Sequence, residues 1–174
     1  MSEMAGGSKS EALLDAARRR QEQERIVEVD EEQVKMVVFR CGLRRYAFYG
    51  THIREILPPR EIAWAPGLPA WLPGLINLRG EVESVIDLRP FLKEELEGDC
   101  SHCHIAIAVA GEFVSGILID LVEDVMDLPQ SAIKPAPAGL TESVKELVAG
   151  EFEYNGETVI LLDASKLAAR VTIQ

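Results

Sequence analysis

The sequence predicts an all-β body of two small five-stranded barrels packed side by side, preceded by a charged N-terminal extension that is mobile or helical. Three observations carry this reading: short apolar runs each stopped by Gly or Pro, the same order of runs in two successive halves, and a sharp change of composition near residue 33.

Residues 1–33 are dominated by Glu, Arg, Gln, Ala and Ser with few large apolar side chains, the composition of a largely mobile extension. Leu13, Leu14 and Ala17 lie at helical spacing and Arg18–Arg20 are followed by Glu22 and Glu24, so a short solvated helix fits within it.

The first lobe is expected over 34–99. Val34–Phe39, Tyr46–Tyr49 and His52–Leu57 read as three strands, separated by a turn at Gly42 and stopped by Pro58-Pro59. A proline-rich loop holding Trp64 and Trp71 follows, its tryptophans serving either as lids on a barrel or as aromatic anchors for a partner. Leu75–Leu78 and Val82–Ile86, joined around Gly80, then form a hairpin. The second lobe, 100–174, repeats this grammar with Ile105–Ala110, Phe113–Ile119, Leu121–Leu128, Leu147–Tyr154 and Thr158–Leu162. Its last pair flanks Asn155-Gly156, a strong two-residue hairpin signal because both residues tolerate positive φ. Val85-Ile86-Asp87-Leu88 and Ile160-Leu161-Leu162-Asp163 close the two halves in matching phrases, so an internal duplication is expected. In the strand from Ile105, isoleucines and valine alternate with alanines, and both faces are apolar. That strand is expected to lie between the lobes.

Bulk properties exclude several classes of function. With 174 residues, 47% hydrophobic and 27% charged, the chain can bury a core. A formal net charge of -11 opposes binding to a phosphate backbone, so no nucleic acid partner is expected. No apolar run approaches the ~18 residues of a membrane span and the N-terminus lacks an apolar signal core, which predicts a cytoplasmic chain without direct membrane contact. The three cysteines, Cys41, Cys100 and Cys103, are expected as reduced thiols.

The chain has no nucleophile elbow, phosphate-binding glycine loop, dinucleotide fingerprint or metalloprotease helix, and it is read as non-enzymatic, with no cofactor and no metal. One pattern stands apart. Cys100-Ser101-His102-Cys103-His104 matches the C-x-x-C-H spacing of covalent haem attachment, so a redox or haem-binding protein using Cys100, Cys103 and His104 is the alternative reading. Zinc is disfavoured, because donors within five residues cannot readily enclose a tetrahedral ion.

The densest signal is Gly74-Leu75-Ile76-Asn77-Leu78-Arg79-Gly80, followed by an apolar strand and Asp87-Leu88-Arg89. This stretch resembles the hallmark of the bacterial chemotaxis coupling proteins of the CheW family. Tyr46, Val38-Phe39, Ile53-x-Glu55-Ile56, Gly116-x-x-x-Asp120 and Ile133-Lys134-Pro135-Ala136-Pro137 agree in order and spacing, so the resemblance runs from about Val34 to Leu167. Ser84 departs from it, standing where the family commonly has Pro, and His104 opens a strand where an apolar residue is usual. The resemblance implies SH3-like barrels in an adaptor that bridges the cytoplasmic tip of chemoreceptors to the regulatory domain of the histidine kinase CheA, at membrane receptor arrays. It further implies receptor contact through Ile53, Glu55, Ile56 and Arg79, along the third strand and a groove between lobes, and kinase contact through Ile62 and Gly74. From the residues themselves, Ile53 and Ile56 are three apart and should face opposite ways on a strand, Arg79 could simply pair with Asp87 or Glu81, and Asn77 and Gly80 suit a turn.

Overall fold

The computed structural model describes residues 5–95 and 100–172, in two compact units, Met1–Gln33 and Val34–Gln174. In the first unit, a single helix α1 runs from Ala5 to Asp30, longer than the short helix expected. Ala, Glu, Arg, Gln and Lys are strong helix formers, and their density sustains it without an apolar stripe. Leu13 and Leu14 are exposed.

The second unit contains ten strands: β1 Gln33–Cys41, β2 Arg44–Tyr49, β3 Ile53–Leu57, β4 Gly74–Leu78, β5 Glu81–Asp87, β6 His104–Ala110, β7 Phe113–Ile119, β8 Leu121–Pro129, β9 Val148–Tyr154 and β10 Glu157–Leu162. Short helices α2 Arg89–Leu92 and α3 Glu142–Lys145 lie in the connections, and α4 Ala164–Thr172 closes the described chain. Two SH3-like sheets result, in the orders β8-β1-β2-β10-β9 and β3-β6-β7-β5-β4.

Matching β1–β5 to β6–β10 turns one order into the other, which is the expected duplication with a difference in its connectivity. Each sheet takes the first two strands of one half and the last three of the other. The lobes therefore do not coincide with residues 34–99 and 100–174, and the partition read from sequence is corrected. Parallel pairs make the exchange: β2 aligns Tyr46, Ala47 and Phe48 with Ile160, Leu161 and Leu162 of β10, and β5 aligns Val85, Ile86 and Asp87 with Gly116, Ile117 and Leu118 of β7.

Strand alternation then builds three cores. Met36, Val38, Ala47, Phe152, Val159 and Leu161 fill the first barrel, and Ile76, Val85, Ile105, Ile107 and Leu118 fill the second. The opposite faces of the same strands meet between the sheets, where Phe39, Tyr46, Phe48, Ile86, Ala106, Ala108, Ile117 and Ile160 pack together with Leu167 of α4. The strand from Ile105 does lie there, alanines inward to the seam, as its two apolar faces predicted. Among the described residues this seam is packed with the chain's own buried side chains, where an open groove was expected.

Both hairpin turns of the duplication have two residues at positive φ, Arg79 (52°) with Gly80 (89°) and Asn155 (49°) with Gly156 (76°), the type I′ geometry that matches strand twist. The halves also share a close approach. A Cβ on Gly74 would lie 2.4 Å from the Ala63 carbonyl oxygen and one on Gly150 would lie 2.5 Å from that of Lys134. Each glycine precedes a residue bridged to that same backbone, Leu75 to Ala63 and Glu151 to Lys134. We expect Gly74→Ala and Gly150→Ala each to lower stability by about 1–3 kcal/mol, the usual range for overpacking, as read by denaturant unfolding.

Candidate functional site

β3 and β4 are the two edges of the second sheet. Pairing with β6 aligns Ile53 with Ala108 and Glu55 with Ile107, so two residues of β3 advance while β6 advances one. This bulge adds Arg54 to the strand and reverses the side-chain alternation beyond it. Ile53 and Ile56 consequently both pack, half-buried, on the rim of the inter-sheet core. The expectation that they face opposite ways is corrected by that one extra residue.

The Glu55 carboxylate meets the β4–β5 turn at Arg79. Arg79 donates from both terminal nitrogens to its two carboxylate oxygens, at 2.6 and 2.8 Å. The pair thereby clasps the edge strand β3 to the hairpin at the opposite edge. Arg79 thus partners Glu55 rather than Asp87 or Glu81, and it is 73% exposed on its outer side. The hydrogen bond from Arg79 holds the Glu55 carboxyl below the usual carboxylate range, with the charges of Arg54 and Arg60 adding to the effect. Arg60, which the sequence reading passed over, donates to the Asn77 carbonyl oxygen at 3.3 Å. Its nearest warning in the sequence was only its place beside Pro59. In an acidic chain this gives one locally basic patch, with three guanidinium groups around a single acid. Asn77 and Gly80 serve the turn, the Gly80 amide donating to Asn77 Oδ1 at 2.9 Å.

Ile62 and Gly74 are brought together on the outer side of β4: a Cβ on Gly74 would lie 2.7 Å from Ile62 Cγ2. Ile62 packs against the second barrel's core. The tryptophans part company. Trp71 is half-buried, its ring 5.7 Å from that of Phe91 and its carbonyl oxygen accepting from the Asp87 amide, the behaviour of a lid. Trp64, next to the Ala63 bridge, is 76% exposed.

Asp87 and Arg89 form a buried fork. Arg89 Nε and Nη2 donate to the two Asp87 oxygens at 2.9 Å each, and the Arg89 amide adds a bond at 3.0 Å. Cys100 and Cys103 are folded against this fork and the second barrel's core. Among the described residues, no group of three or more His, Cys, Asp or Glu is placed to hold a metal ion. His104 pairs with Ile119 inside the sheet. Ser84 is bonded across strands, its hydroxyl 2.8 Å from that of the buried Ser115.

Because the folded Glu55 carboxyl titrates below its unfolded value, the clasp contributes stability above the ordinary carboxylate range, near pH ~4.3, and loses it as pH falls through the folded value. Thermal midpoints of the wild type should exceed those of Arg79→Ala at neutral pH, by a small margin, and converge with them under acid conditions.

The family profile of the CheW-like domain matches residues 35–172. A chemotaxis protein CheW of Bacillus subtilis is 26% identical over 140 residues, covering 80% of this chain and 90% of its own length. Protein FrzA of Myxococcus xanthus is 29% identical over 131 residues, covering 74% of this chain and 81% of its own. Among solved structures, the scaffolding protein TtCheW of Thermoanaerobacter tengcongensis superposes with a TM-score of 0.68 at 25% identity, over 75% of this chain and 84% of that one. With its two exchanged five-stranded sheets and a match extending over nearly the whole second unit, the chain belongs to the CheW-like domain family.

Proposed function

We propose that this protein is a non-catalytic adaptor that couples chemoreceptors to the histidine kinase CheA in chemotaxis signal transduction. The match to the CheW-like domain over residues 35–172 carries the proposal, supported by relatives named chemotaxis protein CheW and by a structural neighbour titled a scaffolding protein. No helix among the described residues is long and apolar enough to cross a membrane, which fits a cytoplasmic partner recruited to membrane receptor arrays.

Receptor contact is assigned to Ile53, Glu55, Ile56 and Arg79. With the seam filled, a receptor's helical hairpin would lie along its rim, its apolar residues on Ile53 and Ile56. Acidic groups on the hairpin would meet the basic patch of Arg54, Arg60 and Arg79, and these charges fix register while the apolar contact supplies area. Kinase contact is assigned to the side bearing Ile62 and Gly74, where the exposed ring of Trp64 offers an aromatic anchor. Holding both partners in one geometry lets a receptor change bias the kinase's two-state equilibrium, because the contacts differ between states.

The test is co-sedimentation of the full chain with a receptor cytoplasmic fragment and the kinase regulatory domain. Glu55→Lys, which breaks the fork that holds the Arg79 guanidinium in place, should cost the patch its register and weaken receptor recruitment about tenfold or more, the loss typical of a central contact, with kinase binding retained. Trp64→Ala should weaken kinase recruitment and leave the receptor arm intact. Unchanged receptor recruitment by a folded Glu55→Lys protein would remove Glu55 from the site.

A further inference from the structure

Cys100 and Cys103 are left without a role by the coupling function, yet their geometry is ordered. The Cys103 amide donates to the Cys100 carbonyl oxygen at 3.1 Å, closing a short helical turn over Cys100–His102. A chain reversal closed from residue i to i+3 brings its end Cα atoms within about 7 Å, which overlaps the roughly 4.4–6.8 Å span that a disulfide requires.

Each sulfur has a distinct neighbour. Arg89 Nη2 donates to Cys100 Sγ at 2.6 Å while the guanidinium is locked on Asp87, so a positive charge faces the more accessible sulfur. Cys103 is buried and its thiol donates to Asp120 Oδ1 at 3.7 Å. Burial, with Cys100 and Asp120 adding to it, pushes the Cys103 thiol up to about 12. The third cysteine, Cys41, is fully buried on β1. Position assigns the roles: the more accessible Cys100 sulfur meets an oxidant first, and the buried Cys103 sulfur, one short turn away, reaches it second.

We propose that Cys100 and Cys103 form a redox-active pair, oxidised to an intramolecular disulfide by small-molecule disulfides of the glutathione class. The Cys100 sulfur, its proton released to water, attacks one sulfur of the oxidant. The oxidant's S–S bond breaks, one thiolate leaves and a mixed disulfide remains on Cys100. The Cys103 sulfur, its proton passing toward the Asp120 carboxylate and on to solvent, then attacks the Cys100 sulfur and expels the second thiolate. The protein gives up two electrons and two protons, and one disulfide becomes two thiols.

The reaction acts on a joint of the fold. Asp120 joins β7 of one sheet to β8 of the other, its Oδ2 accepting from the Gly42 amide at 2.8 Å and its own amide donating to the Arg40 carbonyl oxygen at 3.0 Å. Disulfide formation removes the thiol proton that Asp120 receives and alters the sulfur that Arg89 faces.

The full chain would be equilibrated in buffers of graded reduced-to-oxidised glutathione ratio, quenched in acid, unfolded, alkylated and weighed intact. We expect two of the three thiols to be lost in one step with the mass of two hydrogens, and peptide mapping to show Cys41 alkylated. Cys103→Ser should stop at one glutathione adduct on Cys100, and Cys100→Ser should leave Cys103 unmodified in the folded protein. Three alkylated thiols at every ratio, or a disulfide that includes Cys41, overturns the proposal. Peptide mapping of the wild type decides the matter even where a variant fails to fold.

Discussion

Every other feature of the body depends on the two parallel pairings, β2 with β10 and β5 with β7. They place the closing strand of each half beside the second strand of the other, so neither sheet is complete within its own half of the chain. Parallel pairing cannot be made by a hairpin and needs a long connection, and here the rest of the duplicated chain provides it. The central strands are consequently covered on both faces, by their own barrel on one side and by the facing sheet on the other. Val34–Gln174 behaves as one compact unit for this reason.

Exchange leaves each sheet with two edges, and polar side chains close them. In the first sheet the Tyr154 hydroxyl, on edge strand β9, donates to Asp124 on edge strand β8 at 3.1 Å. In the second, the Glu55–Arg79 fork spans from β3 to the β4–β5 turn. Exposed pairs of this kind contribute little stability individually, and their value lies in fixing where an edge ends. The buried Asp87–Arg89 fork differs in kind, since removing one partner would strand a charge in the core. A surface-facing clasp thus stands in the turn before β5 and a buried polar anchor at the end of the strand.

The candidate site shows where reading residues singly falls short. Glu55 and Arg79 were each singled out from the sequence, but 24 positions separate them, and their fork forms because the second sheet curls until its edge strand β3 meets the β4–β5 turn at the other edge. Ile53 and Ile56 share a side because of a bulge, and no residue in Ile-Arg-Glu-Ile announces one. Arg60 joins the patch through a carbonyl oxygen of β4, a contact without a sequence signature. Trp64 and Trp71 sit in one proline-rich loop and differ in exposure because Phe91, from α2, covers only the second.

Strand existence, both hairpin turns, the duplication and the burial of both faces of β6 were determined by the sequence itself, because alternation, turn chemistry and repeat order are local properties of the chain. The resemblance carried by Gly74–Gly80 and Asp87–Arg89 was likewise local. Which strands pair was settled only in three dimensions. A strand apolar on both faces needs two coverings, and its pattern does not say which half of the chain supplies them. Nor did it reveal that the seam would be filled rather than open, since that depends on how Phe39, Phe48 and Leu167 from distant segments meet Ala106 and Ala108.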